Sequence, residues 1–110
     1  MFHMLSCFNL GSDTSVKDFQ NAVDRFTQHL LQHQMLESTG PIGRRQRHPV
    51  MDTDDERDLE YYFIMSFRDR QQCDQAVAHI FERQEPGESI HSQVYKSITD
   101  SVFVCWEDIA

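Results

Sequence analysis

His29 and His33 stand four residues apart, and on a helix that spacing puts two imidazoles on one face within reach of a single metal ion. The residues between them, Leu30, Leu31 and Gln32, include no glutamate of the HExxH kind, and no third ligand lies nearby in sequence. The pair is therefore a candidate metal site whose plain alternative is two histidines at the margin of a core stripe, and no bound metal or cofactor is expected. The basic cluster of the chain is Arg44, Arg45, Arg47 and His48. A guanidinium is a planar fork of donors suited to the carboxylate of a small anionic ligand. Those same arginines can instead pair with the acidic run that follows, Asp52, Asp54, Asp55, Glu56 and Asp58. That run is not a calcium loop. Arg57 occupies the position that needs glycine, and Phe63 the position that needs the final acid.

The remaining groups with chemical potential are His3, Tyr61, Tyr62, His91, Asp100 and Trp106. A histidine beside a carboxylate can act as a general base while a tyrosine hydroxyl holds an oxyanion. Each is equally at home as a hydrogen-bonded core or interface residue, and sequence spacing does not show convergence. Cys7, Cys73 and Cys105 are an odd number with no C-x-x-C pair, which disfavours a disulfide scaffold or a cysteine-rich zinc site. The start, MFHMLSCF, has no basic n-region, so no secretory signal is expected, and no stretch approaches the ~20 apolar residues of a membrane helix. A formal net charge of −8 over 110 residues argues against a polyanion partner and for solubility, and the unpaired thiols fit a cytoplasmic protein.

The elements that must position these groups follow from periodicity. MFHMLSCFNL reads as a strand over residues 1–10, broken by Gly11. Ser15 and Asp18 fit a capping box, and Val16, Phe19, Val23, Phe26 and Leu30 recur at spacings of three and four. The helix they predict extends to the Gly40-Pro41 stop, about 23 residues or roughly 34 Å. Ile42 to His48 suits an edge strand ended by Pro49, and the acidic loop follows. EYYFIMSF, residues 60–67, is a strand with two apolar faces, Tyr61, Phe63, Met65 and Phe67 against Tyr62, Ile64 and Ser66. A second helix is predicted over 70–84, and Ile90, Val94 and Ile98 allow one further helical stripe. SVFVCWEDI, residues 101–109, is a last strand, again apolar on both faces.

The order is β-α-β-β-α-β in a single domain over 1–110, an α+β ferredoxin-like arrangement with a four-stranded antiparallel sheet. Two helices about 10 Å apart cover one face of four strands spaced about 4.8 Å, and no more. The other face is apolar too, and leaving it in water would expose a patch larger than monomers tolerate. A second copy packed across a two-fold axis is the simplest cover.

On these features, the length, the long first helix, the two-faced sheet and the final FVCWEDI strand preceded by SIHSQVYKSITD, the chain resembles the dimeric α/β-barrel superfamily. That group contains antibiotic-biosynthesis monooxygenases, EthD-like and stress-responsive barrel proteins and muconolactone isomerases. The resemblance implies a bacterial homodimer joined through the sheet face, with a barrel pocket for a small organic molecule, no cofactor and no identifiable catalytic motif. The alternative it implies is a cofactor-independent monooxygenase or isomerase. The monooxygenase branch resembles this chain in an asparagine near the end of strand 1, here Asn9, and a histidine on the second helix, here His79. Its tryptophan on a central strand is missing, since Trp106 lies on the last one. RNA-recognition motifs share the element order, but Glu60 and Tyr61 stand where that module places a basic residue and a glycine, so no nucleic-acid partner is expected. No membrane partner is expected either.

Overall fold

The structure is a computed structural model that describes residues 1–109. Its elements are β1 (Phe2–Leu10), α1 (Val16–Gln32), β2 (Ser38–Thr39), β3 (Gly43–Arg44), β4 (Tyr61–Phe67), α2 (Arg70–Phe81), α3 (Gly87–Tyr95) and β5 (Ile98–Glu107). The strands form one antiparallel sheet in the order β2-β4-β1-β5, with β3 also paired to β4. This is the expected ferredoxin-like topology with its second strand in two pieces. The ladder on β4 is lost where Pro41, which has no N–H to donate, separates Thr39 from Gly43.

The helix predicted to reach Gly40 ends at Gln32 instead. Gln34 adopts a left-handed φ of 58°, its N–H donates to the Leu31 carbonyl, and the Met35 N–H donates to the Leu30 carbonyl. That is the paired geometry of a Schellman stop, made here without glycine. The released chain turns Leu36 back into the core, where it is 3% exposed. The start of α1 follows the capping rule, with Ser15 Oγ accepting from the Asp18 N–H at 3.1 Å. Helix α2 ends at Phe81, and the further stripe is realised as α3, although Ile98 belongs to β5.

The core lies on one side of the sheet. Phe8 of β1 and Tyr61, Phe63, Met65 and Phe67 of β4 pack against Phe19, Val23, Phe26 and Leu30 of α1 and Ala76 of α2. Gln72, 1% exposed, joins the layers without leaving a polar atom unpaired. Its Oε1 accepts from the Arg68 N–H, and its Nε2 donates to the Gln34 carbonyl and to Glu37 Oε1. The opposite side carries His3, Leu5 and Cys7, the β4 residues Tyr62, Ile64 and Ser66, and Val102, Val104 and Trp106. The loop from Arg45 folds against this side and helps bury Cys7, whereas Ile64, Val104 and Trp106 remain 37%, 49% and 39% exposed.

Candidate functional site

A cavity of about 440 Å³ lies between the sheet and the helices. Met4, Ser6 and Phe8 of β1 and Phe63, Met65 and Phe67 of β4 form its floor, α1 one wall and α2 with α3 its roof. Alternation along β1 and β4 sends every second side chain to this side, and the three-and-four spacing of α1 meets them with Phe19, Val23, Phe26 and Leu30. The exposed members of the lining, Val77, Phe81, Tyr95 and Phe103, place the opening between α2, α3 and β5. No Asp, Glu, Lys or Arg lines it. Polar character comes from Ser6, Cys73, His91 and Tyr95.

His91 is the candidate residue that reaches this cavity. Its ring sits 5.3 Å from that of Phe26 and 4.9 Å from that of Tyr95, and among the described residues its nitrogens have no hydrogen-bond partner. Burial pushes its pKa below the usual histidine value, with Glu88 opposing. A neutral imidazole with one donor and one acceptor is thus presented to whatever occupies an otherwise carbon-lined space. Burial also raises the Cys73 thiol, leaving it protonated.

The other candidates lie elsewhere. His3, Tyr62 and Trp106 are on the opposite sheet face, the ring of the first tilted against that of the last at 5.1 Å. His3 is flanked by two groups that sequence reading missed, Ser66 Oγ at 2.8 Å from Nδ1 and Asp108 Oδ1 at 2.8 Å from Nε2. The hydrogen bond from His3 holds the Asp108 carboxyl below its ordinary pKa. The three come from β4, β1 and the chain end, so only the strand register could have revealed them. Asn9 is a tie rather than a pocket residue: its Nδ2 donates to the Asp58 carbonyl and to Asp100, and its Oδ1 accepts from the Glu60 N–H.

The basic cluster is divided. Arg45 donates to both oxygens of Asp52 and to the carbonyls of Asp54 and Arg57, all at 2.6 to 2.7 Å, and so staples the loop. Arg47 reaches the Asp54 carbonyl and Asp58, and Arg44 reaches Glu60 and the Tyr61 hydroxyl. His48 Nδ1 accepts from the N–H groups of Val50 and Met51. Arg45 and His48 do line a wider concavity of about 630 Å³ on the outer face with Tyr62, Leu5 and Val104, but the Arg45 donors are already engaged there.

His29 and His33 are joined by a residue from the other helix. His79 of α2 places its Nε2 2.8 Å from that of His29, and the His33 ring lies 4.5 Å from His29 and 5.7 Å from His79. His29 is 8% exposed and its pKa is lowered by burial, then by His33 and His79.

No family model and no curated protein matches the chain. Solved structures do match over nearly its full length. At3g17210 from Arabidopsis thaliana superposes with a TM-score of 0.75 at 5% identity, covering 100% of this chain and 97% of that one. SnoaB, a cofactor-independent oxygenase from Streptomyces nogalater, gives 0.61 at 11% identity, covering 99% and 93%. A dimeric ferredoxin-like protein of unknown function from Jannaschia sp. CCS1 gives 0.64 at 13% identity, covering 97% and 98%. The chain thus has a ferredoxin-like fold, and likeness at this identity speaks to fold alone.

Proposed function

We propose that the protein is a cytoplasmic homodimer that binds a small, uncharged, largely apolar organic molecule between its sheet and helices. The observation that carries this reading is the 440 Å³ cavity, carbon-lined and without an ionic side chain, with a partnerless His91 at its wall. A space of this size suits a ligand of two or three fused rings or an equivalent aliphatic chain. A charged ligand would pay its desolvation with no counter-charge. Dimerisation is supported by the exposed Ile64, Val104 and Trp106 on the uncovered face and by the dimeric state of similar folds.

The second reading is a cofactor-independent enzyme acting on such a molecule, favoured by the likeness to SnoaB and by an imidazole able to take or give a proton at the cavity wall. Calorimetric titration with 1-naphthol, against its carboxylated analogue 1-naphthoic acid at pH 7.5, tests the binding reading. The neutral compound binds one per chain, the anion at least about tenfold more weakly, and Ala76→Phe, which fills the cavity, removes both. Equal affinities, or binding unaffected by Ala76→Phe, defeat the assignment. Turnover of the bound compound that is lost in His91→Gln would favour the enzyme.

A further inference from the structure

We propose that His29, His79 and His33 form a binding site for one divalent first-row transition-metal ion, zinc being the reference case, bridging α1 to α2. Two of the three are already aimed at each other, Nε2 to Nε2 at 2.8 Å. Two imidazoles that close either share a single hydrogen or share an ion. Zn–N bonds of about 2.0–2.1 Å in a tetrahedron put ligand nitrogens roughly 3.3 Å apart and ring centres about 5 Å apart. The three ring-centre distances, 4.5, 5.1 and 5.7 Å, bracket that value. An ion therefore needs the facing nitrogens to part by about half an ångström and the two rings, which meet head-on, to tilt toward a common point, with their ring centres left where they are.

The third ligand needs one adjustment. Among the described residues no three side chains of the metal-binding types converge as they stand, so His33 must turn its ring inward. It is placed to do so. His33 caps the C-terminus of α1, is exposed, and sits one helical turn beyond His29. Water would complete the coordination sphere on the solvent side, as in three-histidine sites generally.

Two further observations point the same way. Gly87, the first residue of α3, lies against the facing nitrogens: a Cβ there would sit 3.2 Å from His79 Nε2 and 3.3 Å from His29 Nε2. Space beside the two donor atoms is kept only by the absence of a side chain. The Glu82 carboxylate stands 3.9 Å from Nδ1 of His79, beyond hydrogen-bond reach as it lies but beside the ring nitrogen that the ion would leave free. Nitrogen donors without a carboxylate in the inner set select zinc, nickel, cobalt or copper over magnesium and calcium.

Titration of the chelator-treated full-length protein with ZnCl2 by calorimetry, and with CoCl2 by visible absorption, tests the site. One ion per chain binds, cobalt shows the d–d bands of nitrogen coordination, and zinc raises the melting temperature because the ion joins two helices. His79→Ala abolishes saturable binding, and His33→Ala weakens it about tenfold or more. Gly87→Ala, which keeps all three imidazoles, weakens it too. The absence of a saturable site in the wild-type protein overturns the proposal, and so does binding that survives His79→Ala with the fold intact by circular dichroism. Survival in that variant would place the ion on His29 with His33 alone or on His3, His48 or His91, and His79 would then make only an imidazole hydrogen bond.

Discussion

Trp106→Ala should split the dimer, and the expected size of the effect can be worked from exposure. A tryptophan presents roughly 250 Å². At 39% exposure, roughly 100 Å² of Trp106 remains open on the outer sheet face, beside Val104. Covering that area at about 25 cal/mol per Å² contributes about 2.5 kcal/mol, and a two-fold interface contains the residue twice, so about 5 kcal/mol is lost. The dimer dissociation constant rises by three to four orders of magnitude, about 1.4 kcal/mol per tenfold. Sedimentation equilibrium across a dilution series reads this directly, the wild type remaining near twice 13.0 kDa while the variant falls to one chain mass at micromolar concentration. The substitution leaves every helix contact of the core in place, so far-ultraviolet circular dichroism should be unchanged. A variant that stays fully dimeric at micromolar dilution refutes the placement of the interface, and a monomeric wild type refutes the covered face altogether.

Two other expectations concern stability. Gln72→Ala strands the Arg68 N–H and the Gln34 carbonyl in a site that is 1% exposed, at a cost of about 2–3 kcal/mol; urea denaturation at pH 7 measures it, and a change under 0.5 kcal/mol would show that water replaces the amide. The pH profile has a definite sign, because the folded state holds His29 and His91 below their ordinary pKa and so binds fewer protons than the unfolded chain. Stability is fully present above about pH 6.5, the unfolded value, and declines as the pH falls through it towards the lowered folded values. The urea midpoint should drop between pH 7.5 and 5.5, with a shallower slope in His91→Gln; a flat profile would mean both rings are solvated.

Local signals in the sequence survived folding and long-range ones did not. Residues 61–67 form a strand, as a short run rich in aromatic side chains and apolar on both faces favours, and Ser15 starts α1 because its hydroxyl meets an N–H three residues away. The end of α1 is not legible in the sequence because the Schellman stop falls on Gln34, where side-chain type gives no warning, whereas Gly40 and Pro41 carry the usual stop signals. The edge strand expected over 42–48 is realised only as β3, Gly43–Arg44, while β2, Ser38–Thr39, falls within the span of the expected helix. Residue type marks the candidate groups one by one, but their grouping depends on register and helix docking. His79 meets His29 across 50 positions and Ser66 meets His3 across 63, distances over which no periodicity carries information.

The divided strand also bears on how the sheet can grow. On the β4 side, pairing is confined to the two-residue segments β2 and β3 with a proline between them, which offers an incoming chain no continuous row of donors and acceptors. On the other side β5 extends from Ile98 to Glu107 with one bulge near Asp100, and among the described residues it is paired only to β1. Each molecule therefore has one blunt margin and one that can accept a strand. A sheet with a single receptive margin can join one neighbour back to back and is then finished, so the architecture that leaves an edge open also denies it the second edge that fibril growth requires.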